Sequence, residues 1–469
     1  MPSRAVRSAR FPGSPLRRPD GWLEDAVAII DGWLAYQRGR RRIPGMSVGI
    51  VHGEAVVFTQ GYGYANEAAR RPATATTGYR IASISKVFTA TAVMQLVERG
   101  AVRLDERADR YVPWIRGRNR SSPPVTVRQL LSHTAGVERD GTPHWVTDRF
   151  PTLDQLKARA RQGLTVLPPL ERWKYSNTGY ALLGEVVASA SGQPYDEYVQ
   201  ANILAPLGLR RTGFAITPEV LKTLAAGYGR ERQGRSREVF PNPDTRAWRP
   251  AAGLVSTAAD LCAFMSAQFQ GSGRLLTDLS KREMQRPQWL RADEGQYGLG
   301  LAIWPLDGAV ITGHGGGFQG FSTAIGMDMD RRIGVTVLTN LIEPHARPLL
   351  LGVFHTIHGC IARLERRPAR PSRRAALRRY VGRYTARWLD RDIVLVGDRL
   401  FGANPGDDRP LLDASELDGI GPHRFKIIED LGGGNIGEAV EFETTRTGVV
   451  RGLRWGSSPM RRVRRIARA

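Results

Sequence analysis

Residues 83–100 read SISKVFTATAVMQLVERG, a short polar start followed by a long apolar run. The run is typical of a buried helix that ends at Gly100. Ser83 and Lys86 are three positions apart at the start of this helix, so their side chains lie on one face, roughly 5–6 Å apart. The sequence therefore predicts a buried helix over 84–100 that brings a serine hydroxyl and a lysine amine together.

A serine paired with a lysine in this way can act as a nucleophile. A hydroxyl reacts slowly until a base takes its proton, and burial near other cations lowers the pKa of a lysine enough for it to serve. The amides at a helix N-terminus can also stabilise an oxyanion. Of the six lysines, only Lys86 has a serine three positions before it. The alternative, a capping Ser83 beside a surface Lys86, would leave an unpaired lysine inside the apolar run Tyr79 to Leu96, which is costly.

Two further polar elements could contribute to the same site. Tyr175-Ser176-Asn177 follows a Pro-Pro loop and precedes a helix, so the side chains of Tyr175 and Asn177 are expected to project from a loop. His314-Gly315-Gly316-Gly317 is expected to follow a strand at 309–312. Glycines there allow the backbone to approach a ligand closely, and the histidine can supply a donor or shuttle a proton.

The remaining elements predict one antiparallel sheet with a helical insertion. Strand-forming segments occur before and after a mostly helical middle section, from about 104 to 214. The predicted strands are 46–52, 55–61, 297–304, 309–312, 322–329 and 333–339. Helices at 23–36 and 349–364 would cover this sheet. The expected fold class is α/β of the α+β kind: an antiparallel sheet flanked by helices, with an all-helical subdomain.

The length of 469 residues favours two domains. Residues 1–22 form a basic leader that is expected to be disordered. The first domain is placed at 23–364, and the Pro- and Arg-rich stretch 365–376 is expected to be a linker. Short strand-like segments separated by turn residues predict a small antiparallel β-barrel-like domain at 377–469. These segments are 380–384, 392–396, 399–402, 424–428, 440–443 and 449–455.

The Ser-x-x-Lys, Tyr-x-Asn and His-x-Gly elements, in this order, resemble those of the serine β-lactamase and penicillin-binding superfamily, where they line one cleft. The resemblance covers residues 25–365. Further stretches are similar to the class C β-lactamase-related branch: PGMSVGIV (44–51), LLSHTAG (130–136), AAGLVSTAADL (251–261) and YGLGLAI (297–303). The C-terminal region, opened by YVGRY at 380–384, is similar to the lipocalin-like barrel of some esterase and peptidase members.

The resemblance implies a role for each element. Ser83 would be the acylated nucleophile and Lys86 its proton acceptor. Tyr175 would relay a proton to the leaving group and later activate the hydrolytic water, with its phenol pKa lowered by neighbouring cations. Asn177 would hold the substrate carbonyl or amide. The amides of Ser83 and Gly317 would form the oxyanion hole.

His314, the third catalytic element, stands where true β-lactamases carry a lysine that meets the substrate carboxylate. A histidine is largely neutral at pH 7, which disfavours antibiotic hydrolysis. With histidine here the resemblance is to esterases, D-aminopeptidases and related peptidases. The expected function is a serine hydrolase that forms an acyl-enzyme with small esters, amides or D-amino peptides. The alternatives are a β-lactamase or D,D-carboxypeptidase, and a catalytically silent peptide-binding protein.

Ser47 is the rival nucleophile. Residues 45–49, GMSVG, match the Gly-x-Ser-x-Gly elbow of α/β-hydrolases. That elbow needs a strand before the serine and a helix after it, whereas 48–51 is strand-like and the preceding residues are charged. His133 in LLSHTAG is expected to fix loops beside the cleft, with direct catalysis as the alternative.

The net charge of +23 raises the question of nucleic-acid binding. The basic residues are scattered along the chain, with the densest clusters at 363–379 and 461–468. Solvated surface charge explains such a distribution. The expected partner is a small ester, amide or short peptide, and no nucleic acid.

No metal and no cofactor are predicted. Cys262 and Cys360 lack the spacing of a zinc site or a disulfide framework, and His355 and His358 lack an acidic third ligand. No apolar run has the length of a secretory signal or a membrane span. A cytoplasmic location is therefore expected, or a periplasmic or secreted one if the start is misassigned.

Overall fold

The computed structural model describes residues 21–116, 124–214, 216–232, 236–291, 295–366, 371–430 and 434–463. Most of the predicted leader, positions 367–370 of the predicted linker and the end of the second basic cluster lie outside the described residues. Contacts divide the described chain into two compact units: Pro44–Arg347, and a second that joins residues 21–43 to those from 348 onward. The domain limits 23–364, 365–376 and 377–469 stay predictions.

The first unit is built on a large antiparallel sheet. The strands of this unit are β1 (Gly45–His52), β2 (Ala55–Asn66), β3 (Arg71–Pro72), β4 (Tyr79–Arg80), β5 (Gly227–Tyr228), β6 (Val239–Phe240), β7 (Val255–Ser256), β8 (Trp289–Leu290), β9 (Gln296–Tyr297), β10 (Ala302–Leu306), β11 (Ala309–Phe318), β12 (Phe321–Asp328) and β13 (Ile333–Thr339). Over the described residues, nine of them form one sheet in the order β3-β2-β1-β13-β12-β11-β10-β9-β8.

The first and last strands of this unit meet in the middle of the sheet. β1 pairs with β2 on one side and with β13 on the other, both antiparallel. Both β1 and β13 are apolar almost throughout and buried, as expected for strands covered on both faces. The predicted antiparallel sheet is therefore confirmed.

The α-helices of the described residues are distributed over both units. They are α1 (Gly21–Arg40), α2 (Ser85–Glu98), α3 (Val127–Leu131), α4 (His144–Thr147), α5 (Leu153–Ala160), α6 (Asn177–Ser191), α7 (Tyr195–Val199), α8 (Ala205–Leu207), α9 (Pro218–Thr223), α10 (Arg249–Ala252), α11 (Ala258–Gln268), α12 (Asp278–Gln285), α13 (Ala346–Arg366) and α14 (Pro371–Leu377). α11 packs on β1, β2 and β13, whereas α2 packs on α6 and α10. None of the helices in the described ranges is long and apolar enough to cross a membrane.

Helix α2 joins the helical insertion to the layer on the sheet. Twelve of its fourteen residues are buried, and the ring of Phe88 stacks on that of Phe264 in α11 with centroids 3.8 Å apart. The predicted helix over 84–100 is therefore present. A 3-10 turn, Ala82–Ile84, leads into it, so Ser83 lies on the turn just before the helix.

Strand β11 is longer than the sequence predicts. The segment 314–317 was expected to follow a strand that ends at 312, but it lies within β11 and pairs with β12 as far as Phe318 opposite Phe321. Glycines usually weaken strands. Here pairing with β12 keeps the segment extended, and Gly316 is required because a Cβ there would lie 2.3 Å from the carbonyl oxygen of Ile81.

The second unit contains a closed antiparallel barrel of eight strands, counted over the described residues. They are β14 (Gly382–Thr385), β15 (Asp390–Val396), β16 (Arg399–Ala403), β17 (Ser415–Gly421), β18 (Arg424–Glu429), β19 (Ala439–Thr444), β20 (Val450–Trp455) and β21 (Ser458–Arg462). The predicted barrel is confirmed. The strand-like segments of the sequence did not include β17 and β21. The second half of β17 is exposed and rich in glycine, and β21 is mostly polar.

Candidate active site

Ser83 lies on a tight turn that two short strands hold in place. β4 pairs with β7, with Arg80 opposite Val255, and the chain then enters the turn Ala82–Ile84. Ala82 has a φ of 49°, a left-handed conformation that costs a non-glycine residue about 1–2 kcal/mol. Such strain is common at functional sites. The residue that follows it, Ser83, is partly exposed.

Lys86 is completely buried and contacts Ser83. Its Nζ lies 3.2 Å from the Oγ of Ser83, 2.7 Å from the Oδ1 of Asn177 and 2.8 Å from the carbonyl oxygen of Ala251. Burial lowers the pKa of Lys86 well below its usual value, and the nearby Asp140 carboxylate opposes this only in part. The pair predicted from the sequence is therefore in contact, with the lysine favoured as the neutral amine.

Tyr175 and Asn177 enter the site at the start of α6. The hydroxyl of Ser176 caps this helix by accepting a hydrogen bond from its third amide at 2.8 Å. Asn177 donates from Nδ2 to the Oδ1 of Asp140 at 2.7 Å. The ring centroid of Tyr175 lies 4.9 Å from the Nζ of Lys86. The cap thus places the ring of Tyr175 and the side chain of Asn177 beside the lysine amine.

Burial raises the pKa of Tyr175 above that of a free tyrosine. The Ser83 hydroxyl and the cation of Arg139 act in the opposite direction but do not outweigh burial. The sequence-based expectation of a lowered pKa is wrong for this reason. Arg139 lies over the ring at 5.5 Å from its centroid, and Tyr175 is half-buried. Tyr175 is therefore a protonated phenol at neutral pH, suited to donating a proton.

His314 lies in β11 with both ring nitrogens engaged. Its Nε2 is 3.1 Å from the hydroxyl of Tyr297 and its Nδ1 is 2.6 Å from the carbonyl oxygen of Gly315. A carbonyl only accepts, so Nδ1 carries the proton and Nε2 accepts from Tyr297. Burial, with the cation of Lys86, lowers the pKa of His314 to about 3. The histidine is therefore a neutral group, 6.3 Å from the ring of Tyr175 between centroids.

Gly317 lies on an open edge of β11. β10 pairs with β11 only as far as Ala302 opposite Gly313, so within the described chain residues 314–318 have no strand on that side. No atom lies within 4 Å of the position of a Cβ on Gly317. Because the turn that carries Ser83 packs on β11, edge amides of this strand are candidate donors to an oxyanion.

His133 packs on Tyr175 and binds the backbone of the next residue. Its Nδ1 accepts a hydrogen bond from the amide of Ser176 at 3.1 Å, and its ring lies 4.3 Å from that of Tyr175 between centroids. Burial lowers the pKa of His133 well below its usual value. A buried neutral imidazole with these contacts matches the expected role in fixing loops beside the cleft.

Three site residues were not singled out from the sequence: Asp140, Tyr297 and Ala251. Burial raises the pKa of Asp140, but nearby His144 and the hydrogen bonds from Trp145 and Asn177 outweigh it and lower the pKa to about 2. Asp140 follows LLSHTAG by four positions, Tyr297 opens YGLGLAI, and Ala251 opens AAGLVSTAADL. The matching stretches thus marked the region, but their spacing could not show which atoms meet.

Ser47 is enclosed in the sheet and is not a second nucleophile in this structure. It is 0% exposed, and its Oγ lies 2.7 Å from the carbonyl oxygen of Thr74 and 2.8 Å from the hydroxyl of Tyr79. Over the described residues, no group of three His, Cys, Asp or Glu side chains could hold a metal ion. Cys262 and Cys360 are buried free thiols.

Comparison with known proteins gives relatives in sequence and in structure. The protein Flp of Staphylococcus aureus (strain MW2) is 27% identical over 330 residues, which cover 70% of this chain. The chain spans about 65% of the length of that relative. The octameric penicillin-binding protein homologue from Pyrococcus abyssi is 27% identical with a TM-score of 0.62, covering 92% of this chain and 99% of its own.

A third similar protein is the D-amino acid amidase from Ochrobactrum anthropi SV3. It is 26% identical with a TM-score of 0.61, and the match covers 71% of this chain and 97% of its own. The family model described as Beta-lactamase matches residues 27–351, which include the whole nine-stranded sheet and the helical insertion. With a match over more than half of its length, this chain belongs to the beta-lactamase family.

Proposed function

We propose that the protein is a serine hydrolase that forms an acyl-enzyme on Ser83 with small esters or amides, D-amino peptides included. The observation that carries the proposal is the position of Lys86. Its Nζ is buried, lies 3.2 Å from the Oγ of Ser83 and has a strongly lowered pKa. A base next to a hydroxyl in a water-poor site is what a serine nucleophile requires.

A neutral Lys86 amine can make all three of its contacts. A neutral amine has two N–H donors and one lone pair. The Oδ1 of Asn177 and the carbonyl oxygen of Ala251, at 2.7 and 2.8 Å, can accept both N–H groups. The lone pair is then left for the hydroxyl of Ser83. Lys86 accepts the Ser83 proton as Oγ bonds to the substrate carbonyl carbon, and the carbonyl electrons move to oxygen.

Collapse of the tetrahedral intermediate breaks the bond to the leaving group, which takes a proton from the Tyr175 phenol. The Lys86 ammonium then returns a proton to Tyr175, since its Nζ lies 4.9 Å from the tyrosine ring centroid. In the second half, neutral Lys86 accepts a proton from the water whose oxygen attacks the acyl carbon. It returns that proton to the Oγ of Ser83 as the bond between the acyl carbon and Oγ breaks and the acid leaves. Because Tyr175 has a raised pKa, the base role belongs to the lysine rather than to a phenolate.

The neutral His314 bears on substrate choice. A lysine at this position would offer a positive charge to a substrate carboxylate, whereas a histidine with a pKa of about 3 offers none. The similarity to a D-amino acid amidase also favours amide substrates. We therefore place β-lactams and D,D-carboxypeptidase substrates second.

Labelling with a fluorophosphonate probe tests the nucleophile. The folded protein should form an adduct that Ser83→Ala abolishes and that Ser47→Ala, the matched control at the buried serine, retains. Hydrolysis of p-nitrophenyl acetate and D-alanine p-nitroanilide should fall by at least roughly 10³-fold in Ser83→Ala. Absence of any Ser83-dependent adduct would favour a silent binding protein. Faster turnover of nitrocefin than of both other substrates would assign the site to β-lactams.

A further inference from the structure

The open edge of β11 has unlike residues at its two ends. At one end, His314 lies beside Tyr175, with ring centroids 6.3 Å apart. At the other, four residues further on, the ring of Phe318 lies 5.4 Å from that of Trp145. A strand rises about 3.3 Å per residue, so the two ends are roughly 13 Å apart. A substrate bound along this edge therefore reaches from Tyr175 toward Trp145.

The proposed chemistry orients a substrate between these ends. The leaving group must face Tyr175, because that phenol gives it a proton. The carbonyl carbon must face the Oγ of Ser83. The acyl substituent is on the other side of the carbonyl carbon, so it extends away from Tyr175, toward the end of β11 where Phe318 packs on Trp145.

Trp145 closes the acyl end. The side-chain amide of Gln319, in the turn after β11, donates to the carbonyl oxygen of Trp145 at 2.7 Å. The indole ring packs edge-on against Phe318 and Phe150, with centroids 5.4 and 5.1 Å apart. A hydrogen bond of 2.7 Å between the sheet and the insertion leaves no passage for a chain at that point.

Contacts fix both Trp145 and the turn that carries Gln319. The indole N–H of Trp145 donates to the Oδ1 of Asp140 at 2.9 Å, the carboxylate that also holds Asn177. On the sheet side, Gly320 has a φ of 76°, and a Cβ there would lie 2.4 Å from Gly227 of β5, so the turn packs directly on that strand. Opening the closure would break these contacts.

We infer that Trp145, Phe318 and Gln319 form the end wall of the acyl-group pocket, and that the enzyme selects esters and amides of short acyl groups. The inference rests on the proposed function, since that mechanism decides which end takes the acyl group. A chain that reaches the wall must displace packed aromatic rings. A mismatch of a single methylene in an apolar pocket changes kcat/KM by about tenfold or more.

A chain-length series tests the wall. For p-nitrophenyl acetate, butyrate and octanoate, kcat/KM of the wild type should fall by at least roughly tenfold from acetate to octanoate. Gln319→Ala and Trp145→Ala should each raise the octanoate-to-acetate ratio by about tenfold. Gln193→Ala, at an exposed glutamine outside the cleft, should leave the ratio unchanged. A flat wild-type series, or a ratio that neither wall variant changes, would overturn the inference.

A binding experiment separates the wall from the chemistry. Saturation-transfer NMR with acetamide and octanamide compares Ser83→Ala with a double variant that also carries Trp145→Ala. If that double variant fails to fold, Gln319→Ala replaces Trp145→Ala. Transfer to the terminal methyl of octanamide should be stronger in the double variant. Equal transfer in both proteins, strong or absent, rejects the wall. If the wild type does not hydrolyse esters but transfer to octanamide is still stronger in the double variant, the mechanism is rejected and the wall is kept.

Discussion

Lys86 lies between one anion and one cation. The Asp140 carboxylate raises its pKa and the Arg139 guanidinium lowers it, each by less than burial does. Only the neutral amine can accept the proton of Ser83. The kcat/KM of the enzyme should therefore fall as pH drops through the pKa of Lys86, and this acid limb should lie well below the ordinary pKa of a lysine.

Removing the anion or the cation beside Lys86 should shift the acid limb of the kcat/KM profile in opposite directions. Asp140→Asn removes a charge that favours the ammonium, so the limb should move to lower pH. Arg139→Gln removes a charge that disfavours the ammonium, so the limb should move to higher pH. The measurement is the pH dependence of kcat/KM for p-nitrophenyl acetate, with Arg149→Gln as an exposed control. Shifts of the same sign in both variants would contradict the assignment of Lys86 as the base.

Neighbouring glycines of β11 have different reasons to be glycine. A Cβ on Gly316 would lie 2.3 Å from the carbonyl oxygen of Ile81 and 2.3 Å from the Oγ1 of Thr323. The Ile81 carbonyl is backbone, two residues before Ser83, and cannot move without displacing the nucleophile turn. A Cβ on Gly317 meets nothing within 4 Å. One glycine allows β11 to pack on the turn, and the other faces open space.

Gly316→Ala should therefore destabilise the protein by about 1–3 kcal/mol and lower its esterase activity, because the added methyl pushes the Ser83 turn away from the strand. Gly317→Ala is the matched control and should change stability by no more than about 0.5 kcal/mol. Thermal denaturation gives the stabilities, and p-nitrophenyl acetate hydrolysis gives the activities. Equal melting temperatures for the two variants would show that the close approach of β11 to Ile81 does not occur.

At the scale of the whole molecule, the first helix of the chain belongs to the unit that contains the barrel. Asp25 in α1 is buried and accepts hydrogen bonds from both terminal nitrogens of Arg374, at 2.9 and 2.5 Å. It also accepts from the amide of Gly397, which follows β15, at 2.7 Å. A segment from the start of the sequence thus anchors a unit whose other residues follow position 347.

Asp25→Ala should destabilise this unit by about 3 kcal/mol, since removing one partner leaves the other buried and unpaired. Glu24→Ala is the control: its exposed carboxylate lies 3.6 Å from Arg374, and its loss should cost about 0.5 kcal/mol or less. Hydrogen exchange followed by mass spectrometry should show faster exchange in the barrel strands of Asp25→Ala. If exchange in Asp25→Ala becomes faster only in α1, the helix does not stabilise the barrel.

Much of the fold is encoded in local patterns. The apolar runs at 46–52 and 333–339 mark central strands, and the run after Lys86 marks a buried helix; all three are present. Turn spacing in the last ninety residues indicated a barrel. It missed the partly polar β17 and β21, because strands of that composition are held by pairing with their neighbours rather than by their own propensity.

The sequence by itself determined which residue types could perform the chemistry: a serine three positions before a lysine, a tyrosine two before an asparagine, and a histidine where a lysine is common. Only the tertiary structure decided their state. It placed Tyr175 in a half-buried position where desolvation raises its pKa instead of lowering it, engaged both nitrogens of His314, and brought Asp140 to Asn177. Protonation and contact depend on desolvation and on atoms from distant segments, and neither quantity is contained in the spacing of residues along the chain.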